Sequence, residues 1–154
     1  MKKVVLVTGA SAGIGKETAK LFAGEGFVVY AASRRLDKMQ DLKPLGIKLL
    51  QMDITLDDSV TKAVEEIMSN EKQIDVLVNN AGYGSYGSLE DIALSEARYQ
   101  FEVNIFGLAR LTQLILPHMR EKKAGTIINI SSMGGKFGEP HGAWYHATKY
   151  ALEG

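Results

Sequence analysis

The 154-residue sequence has no cysteine. That excludes disulfides, a thiolate nucleophile, Cys-ligated zinc and cysteine-held iron–sulfur clusters, and it makes a cytoplasmic location the expectation. An excess of one charge is also lacking: eighteen Lys and Arg balance eighteen Asp and Glu. A zero balance supports neither a nucleic-acid partner nor an anionic membrane surface, so neither is expected. No apolar run reaches the roughly 18 residues a membrane span needs. The best candidate, Ile105 to Leu116, carries Arg110 and Gln113. The N-terminal run Val4–Val7 behind Lys2-Lys3 stops at Thr8-Gly9, too short for a secretory core. The three histidines are scattered without convergent carboxylates, so no metal site is expected. What remains is ordinary apolar content, 45% of residues, and a surplus of glycine, sixteen in all. Such a chain can bury a core and is about one domain long.

Apolar runs and helical spacings alternate. Val4–Val7, Phe27–Ala32, Ile47–Met52, Ile74–Val78 and Gly125–Ile130 read as five strands, the first two as strands buried on both faces. Between them, helical spacing is predicted over Gly15–Gly26, a short Leu36–Leu42 stopped near Pro44, Asp57–Met68 and a long helix from Ser95 to about Arg120. A last helix runs from Trp144 to Leu152. Strand–helix alternation implies a parallel sheet with helices on both faces, a doubly wound α/β domain. The last helix runs into Gly154 with no strand behind it. A helix on a parallel sheet leads into a next strand, so the sequence is expected to be the N-terminal part of a longer protein.

Five motifs carry chemistry. Thr8-Gly9-Ala10-Ser11-Ala12-Gly13-Ile14-Gly15 follows the first strand and opens the first helix. Its glycines permit a tight turn and a close backbone approach to a pyrophosphate, which the helix N-terminus then meets with free N–H groups. The spacing is GxxxGxG rather than GxGxxG, but strand, glycine loop and helix form the confirming context. At the end of the second strand stands Ser33-Arg34-Arg35, with no acidic residue before Asp37. A carboxylate there grips the free 2′-OH of NAD, whereas arginine accommodates the 2′-phosphate of NADP, so NADP(H) is preferred, with Arg34 the leading phosphate ligand. Asp53-Ile54 past the third strand fits either an adenine contact or a turn aspartate. Asn79-Asn80-Ala81-Gly82 past the fourth reads first as an Asn-rich turn whose small residues let a loop pass near a ligand. Finally, Ser131-Ser132 precede Tyr145 and Lys149, which share a helix face four residues apart. An ammonium beside a phenol favours the phenolate, and a tyrosine so tuned is a workable general acid or base.

With these residues in place the sequence resembles the short-chain dehydrogenase/reductase family along its whole length. TGASAGIG, NNAG, the Asn104 of NIFG, ISS and YHATK occur in the family's order and approximate spacing. The resemblance implies a Rossmann-type fold, five of whose strands are present and whose C-terminal strands are missing, so that residues 1–154 form an NADP(H)-binding domain cut short at its C-terminus. It also implies a catalytic tetrad of Asn104, Ser132, Tyr145 and Lys149. Ser132 rather than Ser131 takes the role because it lies thirteen positions before Tyr145, as in the family. Tyr145 would exchange a proton with the carbonyl or alcohol oxygen, Ser132 would polarise it, and Lys149 would hold the nicotinamide ribose. Asn104 would anchor a water leading from Lys149 to solvent. Cofactor contacts are expected from Gly9, Ser11, Ala12, Gly13, Ile14, Gly15, Ser33, Arg34, Arg35, Asp53, Ile54, Asn80, Ala81 and Gly82, with Tyr145 and Lys149. In the family Asp53 resembles the adenine ligand and Asn80 lies by the adenosine ribose. Family members commonly pair through two long helices, which makes a homo-oligomer an expectation.

The reading that results is an oxidoreductase transferring a hydride between NADP(H) and a small-molecule carbonyl/alcohol pair. The alternatives are a non-catalytic NADP(H)-binding sensor or scaffold, and an inactive fragment of the enzyme. Among other conspicuous residues, Tyr83 and Tyr86 are candidates for substrate contact, as are His141 and Trp144. His146 should face away from the site, and Phe101, Ile105, Leu108, Leu111, Leu114 and Ile115 should form the buried stripe of the long helix or part of a dimer face.

Overall fold

A computed structural model describes residues 2–154. Five strands, β1 (Val4–Thr8), β2 (Val28–Ser33), β3 (Lys48–Gln51), β4 (Val76–Asn79) and β5 (Thr126–Asn129), form one sheet in the order β3-β2-β1-β4-β5. Every neighbouring pair is parallel, with Val4 beside Val28, Leu6 beside Leu77 and Val78 beside Ile128. Among the described residues α1 (Gly13–Gly24) follows β1, α2 (Asp57–Glu71) follows β3, α3 (Leu94–Phe101) and α4 (Gly107–Glu121) connect β4 to β5, and α5 (Ala143–Glu153) follows β5. This is an α/β Rossmann-like fold, as the alternation implied. The order reverses at β1/β4, the switch point outside which open α/β sheets hold their ligands.

The central strand shows how composition fixes the layers. VVLVT is buried at every position. Its alternate residues point to opposite faces, so each face recruits its own helices. Val4 and Leu6 join Tyr30, Leu77, Val60, Ile67, Leu111 and Ile115 on the α2/α4 side. Val5 and Val7 join Val29, Val78, Ala19, Met39 and Leu42 on the other. Each such aliphatic side chain contributes about 1.5–3 kcal/mol on full burial, so the β1–β4 platform is stiff.

Helix ends follow local chemistry. Two aspartates, Asp57 and Asp58, open α2 against its positive dipole end. Gly26 (φ +82°) turns the chain after α1 in a conformation that L side chains rarely adopt.

Two elements differ from the expectation. The segment predicted to stop near Pro44 is a 3-10 helix over Leu36–Leu45 that contains Pro44. The long helix is continuous but not uniform: a π-turn over Glu102–Phe106 separates α3 from α4. The extra residue of that turn rotates the buried stripe, which runs through Gly107, Leu111, Ile115 and Met119 and leaves Leu114 40% exposed.

Candidate active site

The C-terminal ends of β1 to β4 open into a cleft of about 560 Å³. Thirteen of the expected cofactor residues line it: Gly9, Ser11–Ile14, Ser33–Arg35, Asp53–Ile54 and Asn80–Gly82. Gly15 does not, and neither do Tyr145 and Lys149.

The floor of the cleft is the loop between β1 and α1. Gly9 (φ +65°) and Gly13 (φ +55°) take left-handed backbone conformations. They answer different needs. A Cβ at Gly9 would come within 2.9 Å of Ala81 Cα, whereas one at Gly13 would meet nothing within 4 Å, so only its backbone angle requires glycine. Gly15 is a packing glycine: a Cβ there would run into the Asn80 amide and come 2.7 Å from the Gly9 carbonyl. Thr8 and Asn80 hold the loop. The Thr8 hydroxyl accepts the backbone N–H groups of Asn80 (3.0 Å) and Ala81 (2.9 Å) and donates to Val78 O. The Asn80 amide donates to the carbonyls of Thr8 and Gly9. Asn80 therefore clamps β4 to the glycine loop while lining the cleft. The α1 N-terminus above has no side-chain cap and no acidic residue in its first turn, so its positive end stays free for an anion.

The mouth carries the basic residues. Arg35 Nη2 donates to Ser11 Oγ (3.0 Å), and its backbone N–H donates to Ser33 Oγ (3.2 Å). This small group of hydroxyls and guanidinium lies beside the glycine loop. Arg34 reaches the other way, donating from Nη1 to the Tyr99 hydroxyl on α3 (2.8 Å). Asp53 makes a turn, its Oδ1 accepting from Thr55 N–H and Oγ1, and the residue also lines the cleft. Arg110 fastens that turn, bonding to Ile54 O and pairing with Glu102 and Asp57.

A wall that sequence reasoning missed comes from the long helix. Glu96, Tyr99 and Val103 line the cleft with Tyr83. Their spacing of three and four on one helix face was the available signal. The Tyr83 hydroxyl donates to Glu96 (2.9 Å), and burial foremost, then that bond, push its pKa up to about 12.

Tyr145 and Lys149 share a face of α5 at a second corner, beyond β5. Lys149 is buried to 8% exposure, which lowers its pKa, and its Nζ donates to Ile130 O (2.8 Å) at the end of β5. That Nζ lies 5.8 Å from the Tyr145 ring centroid. Tyr86 packs beside the Tyr145 ring at 5.7 Å between centroids. Bare backbone closes in elsewhere: a Cβ at Gly84 or Gly134 would lie 3.2 Å from the ring. Ser132 precedes a 3-10 turn over Met133–Gly135, and its Oγ accepts the Gly134 N–H (3.0 Å), leaving the hydroxyl proton free to donate.

Asn104 links this corner to the cleft. It is 3% exposed inside the π-turn. Its Oδ1 accepts Tyr83 N–H, and its Nδ2 donates to Tyr83 O and Thr148 Oγ1. Thr148 in turn donates to Tyr145 O. The side chain thus holds the 83–85 loop to α5. One turn earlier the fully buried Gln100 accepts Ser85 N–H, a second clamp that sequence reasoning missed. Its signal was a second amide four residues before Asn104 on the same helix face.

Among the described residues, no helix is long and apolar enough to cross a membrane.

Comparison with known proteins points one way. The family model described as short chain dehydrogenase matches residues 3–154. A 3-ketodihydrosphingosine reductase of Bacteroides thetaiotaomicron is 41% identical over 153 residues, covering 99% of this chain and 55% of that protein. A short-chain dehydrogenase from Streptomyces avermitilis superposes with a TM-score of 0.95 at 38% identity, over 99% of this chain and 57% of that one. A variant of actinorhodin polyketide ketoreductase solved with NADPH gives 0.92 at 32% identity, over 98% and 61%. The chain spans little more than half the length of the curated relatives it matches.

Proposed function

The chain belongs to the short-chain dehydrogenase family, and from that premise we propose that it binds NADP(H) in the cleft and serves an oxidoreductase acting on a carbonyl/alcohol pair. The observation that carries this reading is the cleft itself. A free helix N-terminus, a loop of left-handed glycines, and Arg34 and Arg35 at a strand end with no acidic residue before Asp37 lie along one channel. Those are the needs of a pyrophosphate and a phosphorylated ribose.

The residues fit that group. The pyrophosphate is assigned to the backbone of Ser11–Gly13 and the exposed α1 terminus. The 2′-phosphate is assigned to Arg34 and Arg35 with Ser11 and Ser33, and the adenine to Asp53 and Ile54. Ile14, 64% exposed at the cleft, is assigned to the cofactor's apolar contact. When bound, the nicotinamide supplies the hydride.

The chain's own part is protonic and geometric. In the reductive direction the Tyr145 hydroxyl gives its proton to the carbonyl oxygen as the alcohol forms. The Ser132 hydroxyl donates to the same oxygen, for which its lone-pair bond to Gly134 N–H leaves it free. Lys149 lies within electrostatic reach of the Tyr145 ring and is assigned to the ribose hydroxyls. Asn104 is assigned to holding α5 against the 83–85 loop. A cytoplasmic location and pairing through the exposed Phe106, Leu114 and Leu116 of the long helix belong to the same proposal.

The test is NADPH oxidation with a carbonyl panel headed by 3-ketodihydrosphingosine, the compound in the reductase relative's name. Turnover abolished by Tyr145→Phe is expected. Turnover that survives this change would overturn the assignment of Tyr145.

A further inference from the structure

His146 follows Tyr145 on α5 and is 7% exposed. The sequence placed it facing away from the site, but its ring packs edge-on against the Tyr145 ring at 6.0 Å between centroids. Its Nδ1 lies 2.9 Å from the Gly134 carbonyl oxygen, which can only accept, so Nδ1 carries the proton. Its Nε2 lies 3.0 Å from the Glu139 backbone N–H, which can only donate, so Nε2 carries the lone pair. One neutral tautomer satisfies both bonds.

The surrounding glycines make room for it. A Cβ at Gly134 would come 2.9 Å from Nδ1, and one at Gly142 would come 2.6 Å from Nε2. His141, between the clasped ends, takes a left-handed φ of +63° and accepts Gly87 N–H through its carbonyl (2.8 Å), which ties in the loop bearing Tyr86. The Gly134 residue joins both sides of the site: its carbonyl sits on His146, and its N–H sits on Ser132 Oγ.

We propose that His146 is a positioning residue, a neutral-imidazole clasp that fixes Ser132 through Gly134 and fixes the 137–142 segment through Glu139. The inference rests on the proposed reaction for its catalytic consequence, but the clasp itself stands on the hydrogen bonds. Phe at this position keeps the volume and loses both bonds. Asn keeps a donor near Nδ1 and loses the Nε2 acceptor.

The experiment compares wild type, His146→Phe and His146→Asn by NADPH affinity, steady-state carbonyl reduction and amide hydrogen exchange. In His146→Phe, kcat falls about tenfold, as for loss of a buried hydrogen bond near the reacting atoms. NADPH affinity is unchanged, and the Gly134 and Glu139 amides both exchange faster. In His146→Asn, kcat is largely restored and only the Glu139 amide is accelerated. Unchanged kcat in His146→Phe, or equal loss in both variants, overturns the positioning role. If wild type turns over no carbonyl, the proposed function fails and amide exchange alone decides: unprotected or unaltered Gly134 and Glu139 amides overturn the clasp, and the stated pattern supports it.

Discussion

The dinucleotide cleft and the Tyr145 corner are built in different ways. The cleft rests on β1, buried at all five positions, and its shape comes from backbone: left-handed glycines, a bare helix terminus, N–H groups held by the Thr8 hydroxyl and carbonyls held by the Asn80 amide. The Tyr145 corner rests on β5, where Thr126 and Asn129 are exposed. Its order comes from side chains that reach across loops: Asn104, Gln100, Lys149 and His146. A backbone-built site inside a sheet tolerates little change in volume. A side-chain-built site at a sheet edge fails when one hydrogen-bonding group is lost. Binding and turnover should therefore be separable by mutation.

The largest separation is expected from Tyr145→Phe. General acid–base catalysis is worth about 10²–10⁴-fold, so kcat/KM should fall by that order in steady-state assays. NADPH affinity, read by nicotinamide fluorescence, should hold. Loss of both together would join the two regions that the geometry separates.

The converse case is Gly15→Ala. Its Cβ meets the Asn80 amide and the Gly9 carbonyl, and overpacking of this kind costs about 1–3 kcal/mol. A lowered Tm and weakened NADPH binding are expected in thermal scans and titrations. Gly13→Ala sharpens the point: with open space around it, only its left-handed backbone is strained, at about 1–2 kcal/mol. Equal damage to packing at both positions would contradict the division between them.

Next in size is the double variant Arg34→Ala/Arg35→Ala. Hydrogen bonds to charged groups contribute about 1.5–3 kcal/mol, so the preference for NADPH over NADH should fall at least tenfold in paired titrations. Arg34→Asp alone should turn preference toward NADH. Unchanged NADPH affinity would remove the arginines from the phosphate site.

The smallest effect is alkaline. The Tyr83 pKa is raised from 10.0 to about 12. Folding therefore favours the protonated phenol. That contribution is complete below pH 10 and is lost as pH rises through about 12. Urea unfolding across this window should show a loss of stability in wild type that Tyr83→Phe lacks.

Much of the cleft was legible because its signals are local. Glycines at fixed offsets after a β-branched run, and a missing acid after the second strand, are properties of short stretches. The sheet was legible for the same reason, since VVLV announces a strand buried on both faces. The Tyr145 corner was legible only as a list of residue types. The π-turn that buries Asn104 depends on its partners, Tyr83 and Thr148, which are 21 and 44 residues distant. Asn80 read as a loop or ribose residue because nothing nearby shows that its amide meets the Thr8 and Gly9 carbonyls. The bonds of His146 were out of reach because the 133–142 segment has no periodicity to read.

The most direct measurement is a titration of this chain with NADPH and with NADH. Saturable binding with NADPH tighter by at least tenfold is the predicted result, because the proposed site sets two arginines and two serines on a phosphate that NADH lacks. Equal affinity for the two, or tighter binding of NADH, would contradict the assignment of the cleft.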